Sequence, residues 1–128
     1  MNIVTAFASR SRTAIHSESE GFFILGMEHQ FNVELAKKYG IEEAILIHNL
    51  YFWINKNAAN GRHFYDGRVW TYNSTRSFAE LFPYMTPSKI ARVLRSLEEQ
   101  DIIVKGNYNK SKLDRTCWYA FSDEGILL

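Results

Sequence analysis

The sequence predicts an α+β domain, mainly helical, that closes on a helix-turn-helix and a β-hairpin, and three observations carry that prediction. "NSTRSFAELFPYMTPSKIARVLRSLEEQ" holds two amphipathic segments, each opened by a hydroxyl-bearing cap and separated only by "PYM". "IIVKGNYN" and "RTCWYAFS" then switch to the strand period on either side of a polar "NKSKLD". Upstream, "IEEAILIHNLYFWINK" is long and apolar enough to be the helix against which these elements pack.

At 128 residues, 46% of them hydrophobic and 15% aromatic, the chain suits one domain with a small core. Its formal charge is only +1, so affinity for a polyanion has to come from where the charges lie and not from their sum. Residues 1–26 and 27–74 are each neutral. Residues 75–117 carry eight basic groups against five acidic ones, and the tail from 118 carries Asp123 and Glu124. The positive excess therefore falls on the stretch that holds the helix pair and the hairpin. A single cysteine, Cys117, allows no internal disulfide, and no run is apolar enough for a membrane span, so a cytoplasmic protein with no membrane contact is expected. Arg10 and Arg12 precede no apolar segment of signal-peptide length.

Residues 1–26 show no sustained period and are rich in Ser, Thr and Arg, which predicts a poorly ordered extension ahead of a domain at 27–128, with Met27 as an alternative start. "FNVELAKKYG" predicts a short helix with apolar Phe31, Val33, Leu35 and Ala36, stopped by Gly40. In the helix at 41–56 apolar residues occupy nearly the whole circumference and leave Glu42, Glu43 and Asn49 for water. A helix apolar all round is either the central core helix or gives one side to a second copy, so a homodimer through 41–56 is one expectation. Asp66-Gly67 within "HFYDGRVWTY" predicts a tight hairpin, because a type I′ turn needs positive φ at both central positions. Ser74 or Thr75 caps a short helix that faces the core with Phe78, Leu81 and Phe82 and stops at Pro83.

Thr86 then caps the helix at 86–100, with Pro87 at its first turn, where the missing N–H is harmless. Ile90, Val93, Leu94 and Leu97 fall within about 100° of one another, the width of a core-facing stripe. Opposite them stand Ser88, Arg92 and Arg95, with Lys89 and Ser96 on one flank. In a helix-turn-helix the second helix enters the major groove, where Arg and Lys donate to guanine and Ser and backbone N–H groups meet phosphate. Glu98 and Glu99 come at the far end, where such a helix leaves the groove. A helix-turn-helix followed by a β-hairpin is a winged helix, and the wing at 108–115 carries Lys110, Lys112 and Arg115, suited to phosphates or a minor groove. Together these residues make double-stranded DNA the expected partner. Trp53, Trp70, Trp118 and Phe82 are expected in the core, and Tyr108, near the wing, is the one aromatic considered for stacking on a base.

No catalytic residue, metal site or cofactor site emerges. His16, His29, His48 and His63 lack metal-ligand spacing, and His48 lies on an apolar helix. Cys117 sits within an expected strand and reads as structural. "GFFILGME" has the glycine spacing of a phosphate-binding loop, but Met27 and Glu28 stand where Lys and Ser or Thr are required.

From Met27 onward the chain resembles the amino-terminal winged-helix domain of phage and plasmid replication proteins related to the DnaD-like replisome organisers. The resemblance is carried by "MEHQFNVELAKKYGIEEAILIHNLYFWI", "GRVWTYNSTRSFAELFPYMTPSKIARVLRSLEEQDII" and "GNYNKSKLDRTCWYAFSDEG". It implies a DNA-binding module of replication initiation that recruits replication or helicase-loading proteins, usually as an oligomer. Ser88, Lys89, Arg92 and Arg95 then take the recognition-helix positions, and Lys110, Lys112 and Arg115 the wing positions. Such proteins continue into a further region, whereas this sequence ends at Leu128, just after Ser122 reads as the cap of another helix, so a domain truncated at its carboxyl end is one expectation. "LRSLEEQDII" and "WYAFSDEG" are also similar to patterns in the MarR and PadR transcription regulators. A third reading makes the same fold a protein-docking module.

Overall fold

The computed structural model describes residues 27–122. The chain divides into Met1–Gln30 and Phe31–Leu128. Of the first unit only residues 27–30 are described, and they form neither helix nor strand. The extension expected at 1–26, the alternative start that follows it and the helix expected after Ser122 lie outside the described residues or at their edge.

The second unit is α+β, with four helices and two small antiparallel sheets among the described residues. Its first helix, α1 (Val33–Tyr39), is opened by Asn32, whose side chain accepts from the Leu35 N–H at 3.0 Å. Gly40 closes it with φ 114°, a backbone conformation that L side chains rarely adopt, and α2 (Ile41–Ala59) starts on the next residue. α2 runs past the expected end at residue 56.

Only part of α2 is fully buried: Ala44, Leu46, Ile47, Asn49 and Leu50. Three expectations are corrected here. Asn49, expected in water, is 4% exposed, because it shares the stripe of Leu46 and Leu50 at helical spacing. Ile41, one of the apolar residues of a helix expected to be covered all round, is 59% exposed at the helix start. Trp53 is half-buried and not core, set edge-on to Phe52 with the Lys56 ammonium 5.5 Å from its ring.

The Asp66-Gly67 turn forms as its dipeptide requires, with φ of 52° and 78° joining β1 (Phe64–Tyr65) to β2 (Arg68–Val69). The run does not stay in that hairpin. After Trp70, whose carbonyl accepts from the Asn57 side chain at 2.8 Å, β3 (Thr71–Asn73) leaves to join a second sheet.

Ser74, not Thr75, caps α3 (Thr75–Leu81), accepting from the Ser77 N–H at 3.1 Å. Phe78, Leu81 and Phe82 are buried as their spacing predicts, and Met85 is buried in the turn that follows. α4 (Pro87–Glu99) opens on Thr86, whose hydroxyl accepts from the Lys89 N–H at 3.1 Å, and buries Ile90, Val93, Leu94 and Leu97. It ends on a pair of bonds that satisfy its last carbonyls: Asp101 N–H to Glu98 and Ile102 N–H to Leu97, with Asp101 at φ 62°. Ser122 spends its side chain on this corner, donating to the Asp101 carbonyl, while its N–H reaches the Ile102 carbonyl. The residues that the expected cap would serve lie outside the described ones.

β4 (Ile103–Gly106) and β5 (Cys117–Phe121) complete a sheet of order β3-β5-β4, all antiparallel. The strands are shorter than expected, so the basic residues at 108–115 all stand in the connecting loop. Gly106 pairs with Trp118, and a Cβ there would meet the Trp70 ring at 3.0 Å and Tyr108 at 3.1 Å. Only glycine lets the aromatic side chains close over this strand.

Candidate nucleic-acid interface

α4 presents its polar face because its other face is committed to the core. Ser88, Arg92 and Arg95 are exposed and Lys89 half-exposed. With Tyr84, Thr86 and Ala91 they line an open groove of about 730 Å³. Three cations and no carboxylate are among these lining residues. The helix points its amino terminus, and so the positive end of its dipole, toward Thr86 at the same groove.

Tyr84 is a groove residue that sequence reasoning missed. It is the middle residue of the turn between α3 and α4, 56% exposed, its ring 6.3 Å from Phe82 and nearly perpendicular to it. Partial burial pushes its phenol up from the ordinary value, so it remains a neutral donor and acceptor at neutral pH. An aromatic residue in so short a turn was the available signal.

Ser96 does not belong to this group. It is half-buried, does not line the groove, and its hydroxyl accepts from the Gln100 side chain at 2.9 Å, one helical turn along. Lys89 and Arg92 are also engaged: the Lys89 ammonium is 2.5 Å from one carboxylate oxygen of Glu42, and the Arg92 guanidinium 3.9 Å from the other. The expectation that Glu42 simply faces water is corrected. It lies in the first turn of α2, which packs against α4, and so two of the cations meet an acid from another element. Arg95 has no ion-pair partner among the described residues.

The second basic group, Lys110, Lys112 and Arg115, is exposed on the loop between β4 and β5 and lines no part of the groove. Asn109 organises this loop. Its amide nitrogen donates to the Asp114 and Thr116 carbonyls at 3.0 and 2.8 Å, and its amide oxygen accepts from the Trp118 indole at 2.7 Å. Asp114 is exposed and accepts from the Thr116 N–H at 2.9 Å, and hydrogen bonds from Thr116 hold its carboxyl below the usual range. Leu113 is left 90% exposed at the tip.

Tyr108 is corrected from base-stacking candidate to structural element. Its ring stacks on Tyr65 at 4.6 Å and leans on Trp70 and Trp118, and its hydroxyl donates to the Asp66 carboxylate. That bond raises its phenol above the ordinary value. The hairpin turn and the sheet thus use Tyr108 internally. His63 joins the same cluster, edge-on to Tyr72 and Trp118.

No group of three or more His, Cys, Asp or Glu side chains is placed to hold a metal ion among the described residues. None of the described helices is long and apolar enough to cross a membrane. Comparison with protein-family models, with curated proteins and with solved structures finds no match to this chain.

Proposed function

We propose that this chain is a winged-helix module that binds double-stranded DNA, with α4 as the recognition helix and the β4–β5 loop as the wing. The chain order supports the fold reading: α2, β3, α3, α4, β4 and β5 follow one another, with β3 on the outer edge of β5. A winged helix has this order, its first strand joining the hairpin sheet from the far side. The observation that carries the function is the groove on α4, where Lys89, Arg92 and Arg95 stand beside Ser88 and a helix amino terminus. Arg95 is the residue available for base edges, since it is exposed and has no ion-pair partner among the described residues, while Lys89 and Arg92 hold an anion already and suit phosphate. Lys110, Lys112 and Arg115 supply phosphate contacts from the loop. A place in phage or plasmid-type replication initiation, with helicase-loading proteins as partners, follows from the resemblance of the sequence alone.

The test is fluorescence anisotropy of a random duplex titrated at several salt concentrations, beside Arg92→Ala/Arg95→Ala. Expected is binding that weakens steeply with salt, and a double variant that binds more weakly, its log–log salt slope shallower by up to about 0.9 for each phosphate it no longer neutralises. The pairing of Lys89 and Arg92 with Glu42 favours one other reading, a protein-docking module whose basic face is neutralised internally. Absence of salt-dependent binding would select that reading.

A further inference from the structure

Glu42 is where the electrostatics of α4 are decided, and this inference rests on the DNA-binding reading above. We infer that Glu42 is a built-in competitor for the phosphate site of α4, occupying in the free protein the position that a backbone phosphate takes in the complex. The geometry is that of a two-point anion site. Lys89 and Arg92, one turn apart on α4, converge on the two oxygens of a single carboxylate, at 2.5 and 3.9 Å. A phosphate offers the same pair of acceptor oxygens to the same two donors. The site is accessible: the Lys89 and Glu42 side chains are 38% and 35% exposed and Arg92 64%, so the carboxylate can be displaced without opening the core.

Glu42 is anchored in a way that a random surface acid is not. It stands in the first turn of α2, where the helix dipole favours an anion, and α2 is packed on α4 through the core. Its neighbour Glu43 provides the contrast, with the same charge and helical turn. Its carboxylate folds back over Gly40 and makes no ion pair among the described residues.

Displacing Glu42 leaves a carboxylate beside the incoming phosphate, and that repulsion is the same for every base sequence. Glu42 therefore sets how tightly any duplex is held and leaves base preference to Arg95. It keeps weak, sequence-independent binding low, which matters for a module whose loop cations, Lys110, Lys112 and Arg115, have no ion-pair partner among the described residues.

The experiment compares wild type, Glu42→Gln and Glu43→Gln on a random duplex at fixed low salt, and repeats Glu42→Gln in a Lys89→Gln/Arg92→Gln background. Glu42→Gln should bind about three- to ten-fold more tightly, the scale of an exposed ion pair or two. Glu43→Gln should change affinity by much less, and the gain should vanish where Lys89 and Arg92 are absent. Glu42→Asp, which keeps the charge on a shorter arm, should fall between wild type and Glu42→Gln; circular dichroism of each variant checks the fold. Equal gains for the two glutamines, or a gain that survives without Lys89 and Arg92, would reduce Glu42 to a contributor to the overall field and overturn the inference while leaving duplex binding intact. No salt-dependent binding by any variant would overturn the underlying reading with it.

Discussion

Two clusters of cations, one on α4 and one on the β4–β5 loop, look alike in the sequence and differ in how they are held. On α4, Lys89 and Arg92 meet Glu42 from a neighbouring helix, and the whole face is positioned by the buried row Ile90, Val93, Leu94 and Leu97. On the loop, Lys110, Lys112 and Arg115 have no ion-pair partner among the described residues, and the exposed Asp114 carboxylate accepts from the Thr116 N–H. Their position depends on hydrogen bonds centred on Asn109 and not on apolar burial. Charge counted along a chain is therefore not charge presented to a partner. The α4 surface should therefore loosen only with the core, whereas the loop can also loosen locally while the core stays folded.

The largest effect should come from breaking the seat of α4. Leu97 is fully buried and also carries the carbonyl that receives Ile102, so Leu97→Ala removes packing at the corner where α4 turns into β4. Destabilisation by about 2–5 kcal/mol is expected in chemical denaturation. Because α4 and the sheet share that corner, both basic surfaces should unfold in a single transition. A second transition reporting only the loop would show that the two surfaces are seated independently. Asn109→Ala should cost less, about 1–3 kcal/mol, the scale of leaving the Trp118 indole N–H and two carbonyls unpaired. Here the comparison sharpens: amide exchange should quicken through 109–116 while α4 keeps its protection. Equal loosening of α4 would contradict the separation.

Features set by neighbouring residues were legible in the sequence. The Asp66-Gly67 turn, the Thr86 cap with Pro87 behind it, and the core stripe of α4 each follow from local geometry that few residue types satisfy. Features that depend on partners distant in the chain were not. Nothing near Glu42 announces Lys89, and nothing near Tyr108 announces Asp66. Asn49 misleads for the same reason: a polar residue on an apolar helix signals solvent unless the packing of other helices is known. The departure of β3 from the hairpin was hidden because "VWTY" has strand character throughout. The break at Trp70 is set by the Asn57 side chain and by the ring closing over Gly106. In the candidate site, the residues of α4 were legible, whereas the acid that occupies two of them was not.

The smallest effect concerns acid, and it bears on the aromatic base of the loop. His63 lies edge-on to Tyr72 and Trp118, at 5.4 and 5.3 Å, and burial, with Arg62 adding to it, holds its imidazole below the ordinary 6.5. His48 on α2 is lowered as well, by burial. A base whose folded pKa is depressed takes up its proton more readily in the unfolded chain, so the unfolded state binds more protons just below pH 6.5. Stability should then fall as pH drops through 6.5 toward the lowered folded-state values, by less than either substitution above, since both rings are partly solvated. His63→Asn is the informative variant, because asparagine tolerates the φ of 59° at that position and does not titrate. Its denaturation midpoint should depend less on pH than that of wild type, the remainder belonging to His48. An undiminished slope would mean that the cluster under the loop does not distinguish charged from neutral imidazole. The acid sensitivity would then belong to α2, on the side of the molecule that seats α4.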